Sequence, residues 1–267
     1  MMLYKYVSFA TGKAILQKNA IGFSQPKFFN DPFDLPFYPP EPSANPIDAA
    51  FAHVRTWGKN HIWTENTGIL SLTRTPTNPL MWAHYANKHE GIVVGIDAVV
   101  AGLTDEDSNF IPARYGSVIY VSRRSKQPFV GKFKKGIEVG GTYHFPHDHY
   151  EKLQRVFLQK PICWSYEEEV RVLKCLKGIS SDNSSTQSGH LEIIDAGGRP
   201  LYLLSLPPGS VKEVHFGFRA DIQICDDLFY EATELHPGLS FFECTLDKDG
   251  MTVGIRPYTT IAEAAAG

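Results

Sequence analysis

Trp164-Ser165-Tyr166-Glu167-Glu168-Glu169-Val170-Arg171-Val172 sets three carboxylates, a guanidinium and two aromatic rings at the head of what reads as a buried strand. Side chains alternate along an extended chain, so Glu167, Glu169 and Arg171 share one face while Glu168, Val170 and Val172 take the other. One row is charged and the other mostly apolar. Buried charge is costly unless paired, so the charged row either ties this strand to its neighbour through ion pairs or looks into a ligand cleft. In the cleft reading, Arg171 holds Glu169 ionised and oriented, as suits a carboxylate that hydrogen-bonds a sugar hydroxyl or stabilises developing positive charge. Trp164 and Tyr166 fill the core or line a pocket.

Outward from this strand, short strands and helices alternate without a regular βαβ period. Strands are expected over Leu3 to Val7, Ile21 to Ser24, Ile69 to Thr73, Ile92 to Ile96, Ser117 to Val121, Tyr202 to Leu204, Val211 to Phe216, Phe241 to Thr245 and Met251 to Ile255. Asn45-Pro46 and Asn78-Pro79 are N-cap and first-turn pairs. The first opens a helix to about Trp57; the second opens one with Trp82, Tyr85, Ala86 and His89 on one face, stopped by Gly91. Further helices are expected over Thr11 to Asn19, from Asp148 to about Lys160, and over Asp221 to Leu235. Prolines at 26, 32, 36, 39, 40, 42 and 46 exclude regular structure from Gln25 to Asn45, which reads as an ordered loop or lid. Lys177 to Gly189 reads as a flexible loop. The pattern predicts an α+β fold, one domain over residues 1–260 with mixed or mainly antiparallel sheets flanked by short helices, and a frayed tail over 261–267.

The chain has 267 residues and 43% hydrophobic content, enough for a substantial core. With 26 basic and 29 acidic residues its net charge is -3, so it lacks the basic field of a non-specific nucleic-acid binder. Cys163, Cys175, Cys225 and Cys244 form no CxxC pair. No leader pattern and no membrane-length apolar run is present, so a cytoplasmic protein without membrane contact is expected. The sequence holds no GxxxxGK[ST], GxGxxG after a strand, HExxH or GxSxG.

Two other segments carry chemistry-bearing residues. Ser24 to Asp34 sets Asn30, Asp31 and Asp34 among prolines and phenylalanines, which reads as an anchored turn or as the rim of a cleft. His144, His147, His149 and Asp148 have short spacing, but Pro146 breaks any helical face and nothing completes a four-ligand set, so no metal is expected.

Leu3 to Tyr6 (LYKY), Ser24 to Asp34 (SQPKFFNDPFD), Met81 to Asp97 (MWAHYANKHEGIVVGID) and Trp164 to Val172 (WSYEEEVRV) together resemble the bacterial domain-of-unknown-function family numbered 2971. With the VKEVHFGF segment at Val211 to Phe218 included, that resemblance covers roughly residues 3–217, and it implies a link to toxin-like or defence systems, with no reaction attached. A looser likeness is to ADP-ribosyltransferases, α+β enzymes that disperse their site over an early strand, a second strand and a late glutamate around an NAD cleft. Tyr4 or Tyr6, Ser24 and Glu169 follow that order. Tyr or Lys5 stands where those enzymes carry Arg or His, and there is no STS triplet. The likeness implies Glu169 as the catalytic carboxylate supported by Glu167 and Arg171, with Tyr4, Tyr6, Ser24, Asn30, Asp31, Trp82 and Tyr85 holding NAD as a nucleotide ligand and a protein or nucleic acid as acceptor. The alternatives are a non-catalytic recognition module of a defence or stress system, and a metal-dependent nuclease using Glu167, Glu169, Asp31 and the His144 to His149 cluster.

Overall fold

The computed structural model describes residues 1–37, 43–124, 137–139, 142–144 and 147–266. Strand β1 (Met2–Val7) leads into helix α1 (Phe9–Lys18), opened by the Ser8 hydroxyl accepting from the Thr11 N–H and closed by Asn19 in the left-handed conformation. Strand β2 (Ala20–Phe23) follows. Asn45 caps helix α2 (Pro46–Asn66), which runs past the expected end at Trp57. Gly58 costs a helix only about 1 kcal/mol, and the later turns are anchored: Trp63 packs on Phe157, Gln25 donates to the Glu65 carbonyl, and Lys27 pairs with the Glu65 carboxylate.

After strand β3 (Thr67–Leu72), Asn78 caps helix α3 (Pro79–Tyr85). This helix ends earlier than its periodicity suggests, because Asn87, Lys88 and His89 all take positive φ. His89 therefore leaves the helical face, although its ring remains nearly parallel to Trp82 at 6.3 Å. Strands β4 (Ile92–Asp97), β5 (Ile119–Val121), β6 (Ile137–Val139) and β7 (Thr142–His144) precede helix α4 (His147–Phe157) and strand β8 (Gln159–Pro161). Lys160, expected in the last helical turn, lies in β8. A residue before proline is pushed out of the α region, and Pro161 follows it.

A 3₁₀ turn (Ile162–Glu167) separates β8 from strand β9 (Val170–Cys175), so only the end of the Trp164 to Val172 stretch is strand. Asn78 Nδ2 on the Tyr166 carbonyl at 2.7 Å pins that turn, and Glu168 leaves it in the left-handed conformation. Beyond it lie β10 (Ser185–Thr186), within the segment read as a loop, then β11 (Gly189–Asp195), β12 (Pro200–Ser205), β13 (Val211–Phe216), α5 (Ile222–Leu235, capped by Asp221), β14 (Ser240–Asp247), β15 (Thr252–Pro257) and α6 (Ile261–Ala266).

The largest sheet has the order β1-β4-β13-β14-β15, antiparallel except for β13 and β14, whose connection runs through α5 as a parallel pair requires. A second sheet, β10-β11-β12-β2, is antiparallel throughout. The pair β3-β9 bridges the two: Thr73 pairs with Tyr4 of β1, and Ile69 with Ser24 just after β2. The fold is α+β with mixed, mainly antiparallel sheets. Val170 and Val172 face the main core with Leu70 and Leu72, while Leu173 enters a separate cluster with Ile69, Ile111 and Phe157.

Arg171 is held from outside by Gly116, whose carbonyl accepts the Arg171 N–H at 2.8 Å. A Cβ on Gly116 would come within 1.8 Å of the Arg171 carbonyl oxygen. Gly116→Ala is expected to push this segment off β9 and cost roughly 1–3 kcal/mol, measured by urea unfolding.

Candidate functional site

Where β3 bridges the two sheets, a cavity of about 260 Å³ opens between β1, the end of β3, the loop after β2 and the 3₁₀ turn before β9. Each wall is positioned by a local device. The Asp31 carboxylate accepts the Phe33 N–H at 2.8 Å, closing the turn that carries Asn30 to Asp34. The Tyr6 hydroxyl donates to the Thr75 carbonyl and accepts the Asn78 N–H, so its ring is fixed and its polar end consumed. On the far side, the Asn78 cap that starts α3 sets Tyr85 opposite the carboxylates.

Tyr4, Tyr6, Ser24, Asn30, Asp31, Tyr85, Glu167 and Glu169, drawn from remote parts of the chain, all line this cavity. Trp82 and Arg171 do not. Trp82 is fully buried behind Tyr6, with its indole N–H on the Pro76 carbonyl, and Arg171 lies behind Glu169. Asp34, read as turn or cleft rim, and Trp164, read as core or pocket, also line it, and so do Lys5, Ser71, Thr73, Lys160 and Arg199, which were not expected as site residues. The acids hinted only that cations would stand among them, since a buried carboxylate needs one to balance it.

The floor is a buried network of three carboxylates, Asp34, Glu167 and Glu169, and two cations, Arg171 and Lys160. Arg171 donates from Nε to Glu169 Oε1 at 2.9 Å, from Nη2 to Glu169 Oε2 at 3.1 Å and to both Asp34 oxygens at 2.5 and 2.7 Å, and from Nη1 to the Phe157 carbonyl at 2.8 Å. Lys160 Nζ lies 3.0 Å from Glu169 Oε2 and 3.6 Å from Asp34 Oδ2, and donates to Glu167 Oε2. Tyr85 donates to Glu167 Oε1 at 2.6 Å. Lys5 is set apart: its Nζ donates to the Ser71 carbonyl at 2.8 Å, and among the described residues no carboxylate lies within ion-pair distance of it.

Position in the network sets each charge. Burial alone would raise the Glu169 carboxyl, but Arg171 and Lys160 on either side overcome it and hold the group well below the usual carboxylate range. Glu167 goes the other way: burial pushes its carboxyl up, and Lys160 and the Tyr85 hydroxyl offset only part of the rise. Burial also lowers the Lys5 ammonium, against the pull of Glu169 and Glu167. Two neighbouring carboxyls in one cavity whose environments push them in opposite directions are the arrangement used for acid–base work around a glycosidic bond.

In the extended reading Glu167 and Glu169 share a strand face, and in the structure they converge for a different reason. Glu167 ends the 3₁₀ turn, and left-handed Glu168 redirects the chain so that Glu169 enters the same cavity while Glu168 faces solvent. The side chains of the His144 to His149 cluster lie outside the described residues. Among the described residues no group of three His, Cys, Asp or Glu side chains is arranged to hold a metal, and no helix is long and apolar enough to cross a membrane.

No curated protein and no solved structure matches the chain. Residues 81–172 match the model of a family described as "Protein of unknown function (DUF2971)", a stretch that carries Tyr85, Lys160, Trp164, Glu167, Glu169 and Arg171 of the site but none of the lining from β1 or from the loop after β2.

Proposed function

We propose that the cavity is the active site of an ADP-ribosyltransferase-like enzyme that takes NAD as substrate, breaks its nicotinamide–ribose bond and passes the ribosyl group to an acceptor or to water. The observation that carries this reading is the meeting of Tyr6, Ser24, Asn30 and Glu169 at one concave site. Glu169, kept anionic by Arg171 and Lys160, faces the positive charge that develops on the ribose as the bond breaks. Nicotinamide leaves as a neutral base with the bonding electron pair, so its departure needs no proton. Glu167 is suited to take the proton of an attacking acceptor hydroxyl once it is ionised, and Tyr85 orients it. Tyr4, Tyr85 and Trp164 supply ring faces against which a planar base packs.

In this reading the acceptor is a protein or a nucleic acid in a defence or stress setting. Release of nicotinamide from NAD by the purified protein tests it. Release is expected; none from the wild-type chain would leave the charged cavity as the pocket of a non-catalytic recognition module.

A further inference from the structure

Two polar atoms of the cavity lack partners, and a third group uses little of its capacity. Thr73 is 1% exposed; its backbone N–H and C=O both pair with Tyr4, yet its Oγ1 makes no hydrogen bond to any described residue. Asp31 Oδ2 is likewise buried without a described partner, Oδ1 being taken by the Phe33 N–H. Lys5 places one of its three N–H donors on the Ser71 carbonyl. Folded chains seldom leave such atoms unpaired without a use, and all three residues line the same cavity.

Their chemistry selects a ligand. Asp31 Oδ2 needs a donor, Lys5 needs an acceptor, and the Thr73 hydroxyl serves as either. A phosphate only accepts: it could meet Lys5, Lys160 or Arg199 but gives the Asp31 carboxylate no donor and shares the cavity with Asp34, Glu167 and Glu169; an ammonium only donates and would oppose Lys5, Lys160 and Arg199. A hydroxyl group does both and carries no charge, and a pair on adjacent carbons supplies two such groups at once. Phe28 and Trp164 add aromatic rings to the same lining.

We infer that Thr73, Asp31 and Lys5 form a subsite for a neutral vicinal diol, the ribose of a nucleoside, and that phosphates attached to that ribose stay outside the cavity. The inference deepens the ribosyl-transfer reading and rests on it for the choice of sugar. Thr73 is then a binding residue that touches substrate, not a structural one.

Calorimetric titration of the whole wild-type chain with adenosine and with 2′,3′-dideoxyadenosine separates the hydroxyls from the base. Adenosine is expected to bind more tightly by at least about tenfold, the worth of one or two hydrogen bonds. Thr73→Val, nearly the same shape, is expected to weaken adenosine by about tenfold and to shrink the gap between the two nucleosides. The unfolding midpoint of that variant without ligand should equal or exceed the wild-type value, because only a buried unpaired hydroxyl is lost. Equal affinity for the two nucleosides, binding of neither, an unchanged adenosine affinity in Thr73→Val, or a lowered midpoint would each overturn the subsite. A chain that distinguishes the nucleosides yet leaves NAD intact keeps the subsite and loses only the transfer reaction.

Discussion

Arg171→Met should lower the unfolding midpoint by roughly 10 °C, the consequence of losing about 3–5 kcal/mol in a chain of this size. Arg171 is the only described cation that contacts Asp34 and Glu169 together through more than one nitrogen, and its side chain is 2% exposed. Methionine fills much of its volume but leaves both carboxylates facing Lys160 alone. An uncompensated buried anion costs far more than the intact pair contributes, so the loss measures the stranded acids and not the worth of the salt bridge. For the same reason, combining Arg171→Met with Asp34→Asn and Glu169→Gln should recover a good part of the midpoint, a sign reversal that simple loss of packing would not produce. Thermal unfolding followed by far-UV circular dichroism reads both results.

The largest effect on activity is expected at Glu169. Glu169→Gln keeps the shape of the side chain and removes the charge that faces the ribose, and loss of one preorganised electrostatic group of this kind typically costs about 10²–10³ in turnover. Stability moves as well, because Arg171 and Lys160 then face one anion fewer. The neighbouring Glu168→Gln is the matched control: it lies one residue away, exposed and outside the cavity. Its nicotinamide release and its midpoint should both remain at wild-type values.

Local signals of the sequence carried much of this account, and long-range ones did not. The Asn-Pro pairs at 45–46 and 78–79 mark helix starts because a side-chain cap and a fixed φ act within four residues. The alternation of Val170 and Val172 against Arg171 likewise marks a strand buried on its apolar face. The 3₁₀ turn over Ile162–Glu167 was not legible, since its pinning group, Asn78, lies far back in the chain. Lys160 was hidden for the same reason: beside Val156 and Phe157 it reads as the aliphatic end of a helical face, and only the fold sets its ammonium among Asp34, Glu167 and Glu169. Asp34 reads as turn chemistry until Arg171 is placed beside it. Thr73 gives no signal at all, because an unpaired hydroxyl is a property of the packed cavity.

Nicotinamide release from NAD, measured side by side for the wild-type chain, Glu169→Gln and Glu168→Gln, tests the central claim most directly. Release by the wild type and by Glu168→Gln, with a fall of about 10²–10³ in a folded Glu169→Gln, is the predicted result. Equal release by all three, or none from the wild type, would contradict it.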